Sequence, residues 1–562
     1  MSTVIDPFLE AERYHRNGDI AGAEAWARRA LAQSPQEPAI LNLMAVLADQ
    51  RFDLLAATTA YGRALARDAY NLMIFGNLAG TLSRYGLVEP AVRIGRRTLA
   101  LSPADQTALN NTAQALKAGG FVKESISCYR RAIAIAPSGP LHSNLIFTMS
   151  YDDEVTSDAL FAEYRRWEDI YARPHYRPGR RHTNPADPDR RIVVGYVSQD
   201  FRDHPLGRIL VELIENHDPG RVQVNAYASI RYSDELAERC RRRSGVWRQV
   251  TGLSDADLAE QIRADGVDIL VVVGGHSAHN RLLVTAHRPA PIQVSLDDVS
   301  TSGLEVVDYW ISDPLLHPID GEGWSERFTE TVLRLPCFFL QPPDDLAPPV
   351  QALPALKAGR VTFGSFSNPA KLTPTTIAAW SAAMRTVPGS RVGLKYVDWY
   401  ADASVQRRVV GMFAAEGVSA DRIVFGGGDH TRAEQLALWN DIDIALDPFP
   451  FGGWTSSFEA LWMGVPVITL LGERFAGRVG YAVMDRLGLG NYVARSPAEF
   501  GAIAAAVTQD LGALARVRAE LRERLRRSPL CDGKVQAGYF EDAYREVWRR
   551  WCRAQAEVQA SR

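Results

Sequence analysis

Residues 449–466 read "FPFGGWTSSFEALWMGVP": two glycines, a tryptophan, three consecutive hydroxyl residues and a glutamate, opening an apolar run. The pattern predicts a helix start. Gly452 and Gly453 allow close approach to the backbone, and Thr455, Ser456 and Ser457 add hydroxyl donors. A helix N-terminus carries unpaired N–H groups and partial positive charge, so this arrangement suits a phosphate. Part of it has a plainer explanation, because Ser456 followed three residues later by Glu459 fits a capping box that needs no ligand. The paired glycines and the extra hydroxyls exceed that need. The preceding "IDIALDPF" (residues 442–449) reads as a strand, so the tip lies at the C-terminal end of a parallel strand, where α/β sheets bind ligands.

The strands that would carry such a tip come in two blocks. Residues 191–198, 222–229 and 267–275 are β-branched runs ended by Gly, Ser or Asp, with helix-like segments between them. After the proline-rich "LQPPDDLAPPVQALPALKAGR" come residues 361–366, 391–397, 422–427, 442–449 and 465–470. Continuous apolar strands alternating with helices imply parallel sheets covered on both faces. Two such domains joined by a linker frame a cleft.

Ahead of them the chain repeats itself. Gly18, Phe52, Gly86 and Gly120 recur at one constant spacing, at helical-hairpin turns, followed by the small residues Ala23, Ala57, Ala91 and Ser125. Ala30–Leu31, Ala64–Leu65, Thr98–Leu99 and Ala132–Ile133 keep the same period, and Pro35, Ala69, Pro103 and Pro137 close each unit. Small residues at fixed points let paired helices pack closely. The pattern resembles a tetratricopeptide array, a curved surface for peptide or protein; a packing or dimerisation arm is the alternative. The expected limits are 4–139 for four repeats, 140–188 for a helical linker, 189–340 and 359–530 for two α/β lobes around the linker 341–358, and 531–562 for a terminal amphipathic helix.

Composition narrows the function classes. A net charge of −3 and a hydrophobic fraction of 46% fit a globular protein and not a general nucleic-acid binder. Cys128, Cys240, Cys337, Cys531 and Cys552 form no CxxC pair and no metal-ligand spacing, as expected in a reducing compartment. The first stretch, "MSTVIDPFLEAERYHRNG", carries charges where a signal peptide needs an apolar block. No apolar run is long enough for a membrane span. A cytoplasmic location is the expectation.

Four ordered segments resemble glycosyltransferase family 41, the tetratricopeptide-bearing protein O-glycosyltransferases of the O-GlcNAc transferase and SPINDLY type. They are "VGYVSQDFRDHPLGR" (194–208), "DILVVVGGHSAHNRLLVTAHRPAPIQVS" (268–295), "FGSFSNPAKLTP" (363–374) and the stretch 443–480. The resemblance implies a tetratricopeptide solenoid followed by an α/β GT-B module of two Rossmann-like lobes. It also implies an inverting, metal-independent transfer to Ser or Thr of a protein recruited by the repeats, with flagellin one candidate acceptor. No acidic DxD-like pair stands out as a metal site, so another positive group must stabilise the leaving diphosphate. Lys371 occupies the family lysine position as a fixed cation, and Asn368 a neighbouring polar position near the nucleotide. His204 matches the histidine facing the reaction centre, suited to proton transfer or to holding a hydroxyl or phosphate. His276 matches the family's second histidine motif, and Gln293 lies in the "APIQV" stretch brought to the cleft. Gly453, Thr455, Ser456 and Ser457 would hold the donor, with no cofactor or metal required.

The departures concern that donor. Trp454 stands where many members have histidine or threonine, Gln435 where many have a nucleotide-side histidine, and Glu459 replaces an aspartate near the ribose, as in SPINDLY-like members. The family loop nearest the sugar becomes "SLDDVSTSG" (295–303), with Leu296 followed by Asp297 and Asp298. The sugar is therefore left open between a hexose, a deoxyhexose and a nonulosonic acid, and two carboxylates would repel an acidic one. Competing readings are a non-catalytic repeat scaffold with a degenerate GT-B module, and a transferase for a non-protein acceptor.

Overall fold

The computed structural model describes residues 6–230, 232–297, 299–319, 324–428 and 430–560, so Asp298 lies outside the described residues. Four helix pairs realise the repeat: Pro7–Arg16 with Ile20–Gln33, Pro38–Gln50 with Leu54–Arg67, Leu72–Arg84 with Val88–Leu101, and Gln106–Ala118 with Val122–Ile135. Each hairpin turns on the residue the period selects, since Gly18, Phe52, Gly86 and Gly120 all have φ between 61° and 80°. Ala23, Ala57, Ala91 and Ser125 are fully buried, and Ser125 Oγ donates to the Ala113 carbonyl at 2.7 Å. The chain divides into two compact units. One is the repeat region up to Leu141 together with 368–370 and 396–408; the other holds the remainder.

The second unit contains two parallel sheets. The first is built from β1 (Ile192–Ser198), β2 (Val222–Ala228), β3 (Val246–Gln249), β4 (Ile269–Val273), β5 (Ile292–Leu296), β6 (Tyr309–Ser312) and β7 (Thr331–Arg334), in the order β3-β2-β1-β4-β5-β6-β7. The second comprises β8 (Thr362–Ser365), β9 (Arg391–Leu394), β10 (Ile423–Phe425), β11 (Ile444–Leu446), β12 (Val467–Leu470) and β13 (Val493–Ala494), in the order β10-β9-β8-β11-β12-β13. β4, β5 and β11 are buried throughout; β4 and β11 are unbroken apolar runs, whereas β5 buries Gln293 with its amide hydrogen-bonded. Each sheet grows outward on one side of its first strand and then returns to the other side. The switch points fall between β1 and β4 and between β8 and β11.

The two lobes are tied by the long helix Gly533–Ala560, which follows the second lobe and packs against the first. Glu541 accepts from the Asp218 amide at 2.8 Å, and Trp548 Nε1 donates to the Asp187 carbonyl at 2.9 Å. From the first lobe, Glu326 accepts the Phe475 amide at 2.7 Å, at the start of the second-lobe helix Phe475–Arg486. Among the described residues no helix is long and apolar enough to cross a membrane.

Candidate active site

The loops leaving β8 and β11 carry the residues the sequence singles out in the second lobe. The helix after β11 spans Thr455–Trp462, but the capping box expected at Ser456 and Glu459 does not form. The cap position falls on Trp454, which has no side-chain oxygen, and Ser456 sits inside the first turn, donating to the Gly453 carbonyl at 3.1 Å. Buried Asp447 organises the turn instead. Its Oδ1 accepts from the Gly453 amide at 2.6 Å and from Ser457 Oγ at 2.9 Å, and its Oδ2 accepts from Thr469 Oγ1 at 2.7 Å. Burial pushes the Asp447 carboxyl upward in pKa, while these donors and Lys371 oppose the rise. A Cβ on Gly453 would lie 2.3 Å from Ser457 Oγ and 2.7 Å from Asp447 Oδ1, so glycine alone lets the carboxylate close under the turn. With the turn held this way, the amides of Trp454 and Thr455 and the Thr455 hydroxyl make no hydrogen bond among the described residues. They are the donors left for a ligand.

Trp454 fixes that tip. Its backbone has φ 54°, and its ψ lies outside the left-handed helical well. Such a conformation costs a side-chain-bearing residue about 1–3 kcal/mol. The indole holds it there: Nε1 donates to the Ala476 carbonyl at 2.8 Å, and the ring packs against Phe451, Phe339 and Phe475.

Lys371 ends the short turn Pro369–Lys371 that follows β8. Its Nζ donates to the Gly452 carbonyl at 2.5 Å and sits 4.4 Å from the centre of the Phe451 ring. Burial lowers its pKa to about 7, with the Asp447 carboxylate opposing. The expected fixed cation is thus a group whose charge changes near neutrality. Asn368 opens the same loop and accepts the Ala370 amide at 2.9 Å.

Glu459 is buried and paired with Arg432, whose Nε also donates to Asp344 of the interlobe linker at 2.7 Å. Gln435 lies half-buried one turn along the same helix, Arg432–Ala437, and that helix carries a capping box, between Thr431 and Glu434. The sequence reading missed both Asp447 and Arg432. Asp447 could have been found as the residue that ends the apolar strand before the glycine turn.

In the first lobe, His204 caps the helix Pro205–Asn216, which follows β1. Its side chain is 39% exposed, and Nδ1 stands 3.3 Å from the Leu206 amide and 3.4 Å from Asp200 Oδ1. Desolvation lowers its pKa, with Asp200 pulling the other way. His276 follows β4 at the same switch point but is fully buried among Tyr164 and Trp167. The Ser302 carbonyl lies 2.9 Å from Nε2 and Ser143 Oγ 3.0 Å from Nδ1, so the ring donates through Nε2 and accepts at Nδ1. Burial lowers its pKa to about 4, and both nitrogens are occupied. Gln293 likewise lies inside the lobe, its amide donating to the Thr285 and Val306 carbonyls, and Leu296 is buried at the end of β5. Asp297 follows with φ 54°, half-buried and without a hydrogen-bond partner among the described residues. Burial raises its pKa to about 7.

The model of the family named Glycosyl transferase family 41 matches residues 168–344 and 350–539. The SPINDLY protein of Arabidopsis thaliana, named as a probable UDP-N-acetylglucosamine–peptide N-acetylglucosaminyltransferase, is 34% identical over 425 residues, covering 73% of this chain and 45% of that protein. Its Solanum lycopersicum counterpart is 35% identical over 422 residues, covering 73% and 44%. The chain thus spans less than half the length of these curated relatives. Among solved structures it is similar to a lysine-to-methionine mutant of the Thermobaculum terrenum O-GlcNAc transferase, with a TM-score of 0.81, 31% identity and 98% of both chains covered.

Proposed function

The chain belongs to glycosyltransferase family 41, and we propose that it moves a sugar from a nucleotide-sugar donor to a serine or threonine hydroxyl of a protein. One observation carries the reading: Lys371 and the unpartnered amides of Trp454 and Thr455 leave adjacent strands, β8 and β11, at a switch point. There the donor's diphosphate rests on the helix tip beside the ammonium. The acceptor oxygen attacks the anomeric carbon from the opposite face, the bond to the diphosphate oxygen breaks, and its electron pair stays with the leaving group. Configuration inverts, and Lys371 and the helix tip meet the developing charge in place of a divalent cation. His204 holds the acceptor hydroxyl or receives its proton.

The repeats recruit the acceptor, with flagellin the first candidate to test, and the reaction runs in the cytoplasm. The sugar stays open between a hexose, a deoxyhexose and a nonulosonic acid, and an ionised Asp297 facing it would disfavour the acidic one. A thermal-shift screen of UDP-, GDP- and CMP-sugars, followed by donor turnover and transfer to co-expressed flagellin, tests the reading. One nucleotide sugar should raise the melting temperature. Turnover should then appear with the wild type and vanish with Lys371→Ala. If no donor shifts or turns over in either protein, the scaffold reading replaces this one.

A further inference from the structure

In the third and fourth repeats the first helices, Leu72–Arg84 and Gln106–Ala118, pack against each other, while the second helices, Val88–Leu101 and Val122–Ile135, stand apart. Between the second helices opens a groove of about 710 Å³, walled by the repeats and by the 396–408 segment of the same unit. Val88, Val92, Leu99, Leu116 and Phe121 give it an apolar lining. Arg93, Arg96 and Arg131 stand exposed along it and form no ion pair or hydrogen bond among the described residues. Some guanidiniums elsewhere in the repeats are neutralised, as Arg28 and Arg51 are by Glu24 and Arg84 is by Asp49, whereas Arg97 rests on the Phe75 ring. Among the described residues at the groove, Arg407 alone of the arginines is paired, with Glu89 at 2.8 Å, and Glu124 is the one other lining carboxylate. Thr112 Oγ1, which also lines the groove, is a buried polar atom without a partner among the described residues.

We propose that this groove binds a segment of a partner protein that carries carboxylates beside an apolar anchor. The surplus guanidiniums select the carboxylates, and the apolar lining takes the anchor. A nucleic-acid backbone would meet the charge but leave the lining wet, with Phe121 the sole aromatic surface for a base.

Cys128 lines the same groove and is half-buried, whereas the other four cysteines are buried, so its thiol reports occupancy. The probe is a fluorescein-labelled 14-residue peptide of leucine and glutamate, titrated against the full chain at 50 and 300 mM salt. The peptide should bind, slow maleimide labelling of Cys128 at pH 8.5, and weaken with salt. Its glutamine counterpart, and an Arg96→Glu/Arg131→Glu variant with an unchanged melting temperature, should each lose at least tenfold in affinity. Should the variant not fold, the glutamine and salt arms still decide. Unprotected Cys128, equal binding of the glutamine peptide, undiminished binding to the folded variant, or tighter binding of a DNA oligonucleotide would overturn the proposal. No sugar donor is present, so the result is independent of the transferase reading.

Discussion

The two lobes reverse their sheets in the same way, yet the loops at their switch points differ in kind. In the second lobe, the loops after β8 and β11 gather an ammonium, three hydroxyls and two amides without a partner among the described residues, with a buried carboxylate underneath holding the turn. In the first, the loops after β1 and β4 each supply a histidine, and only His204 reaches solvent while His276 is sealed by two hydrogen bonds and two aromatic rings. Topology provides a crevice in both, but the exposed groups decide what each can hold. The second lobe offers donors suited to an anion, whereas the first exposes a single imidazole beside the Asp200 carboxylate.

The largest effects should therefore separate along that line. Lys371→Ala should lower kcat/KM by about 10²–10³-fold, with much of the loss visible as weaker donor binding. His204→Ala should cost about 10²-fold, the low end for a proton-transfer group, with donor affinity nearly unchanged. Steady-state kinetics together with calorimetric donor titration reads both. If His204→Ala weakened donor binding as much as Lys371→Ala does, the division of labour between the lobes would be wrong.

The next effect concerns what holds the anion site together. Asp447→Asn keeps the shape but turns an N–H₂ group toward either Thr469 or the Gly453–Ser457 pair. It should cost about 1–3 kcal/mol in urea unfolding and loosen the donor site with it. His276→Ala in the first lobe should also destabilise, by about 1–3 kcal/mol, since it strands the Ser143 hydroxyl and empties a packed space. It should leave turnover per folded molecule unchanged, because both nitrogens already face the interior. A large catalytic loss in folded His276→Ala would mean that the first lobe presents two histidines, not one.

Much of this was legible beforehand, and the failures have physical causes. The repeats were readable because a fixed period demands the same small residue and the same left-handed turn each time; even Phe52 obeys, with φ 61°. The buried strands β1, β4 and β11 were readable as unbroken apolar runs. β3 was not, being four residues long, half-exposed and half-polar; β7 is likewise part exposed and ends in Arg334, and β13 has only two residues. The site's residue types were legible, but their roles needed the third dimension. A capping pattern at Ser456–Glu459 was outcompeted by the Asp447 carboxylate upstream, and Gln293 and His276 carry family-like sequence while being buried and hydrogen-bonded to interior groups.

The smallest effect is the most direct test of the contrast between lobes. Burial penalises the charge of Lys371 and lowers its pKa to about 7, so at pH 8 it is mostly neutral. A diphosphate arriving beside it restores the charged form, and donor binding at pH 8 should therefore take up close to one proton. Uptake should shrink toward zero by pH 6, where the lysine is already protonated, and donor affinity should fall by up to about tenfold per pH unit above 7. The stability of the donor-free protein should move oppositely. Between pH 7 and the ordinary lysine pKa the unfolded chain binds the extra proton, so this group makes the fold more stable as pH rises. Calorimetric titration in two buffers of different ionisation enthalpy measures the uptake. Lys371→Arg, charged throughout, should abolish it, whereas His204→Ala should not, since the His204 pKa is already lowered and the ring stays neutral at pH 8. Binding without proton uptake in the wild type would mean that the diphosphate does not sit beside Lys371, and the second lobe would lose the feature that sets it apart from the first.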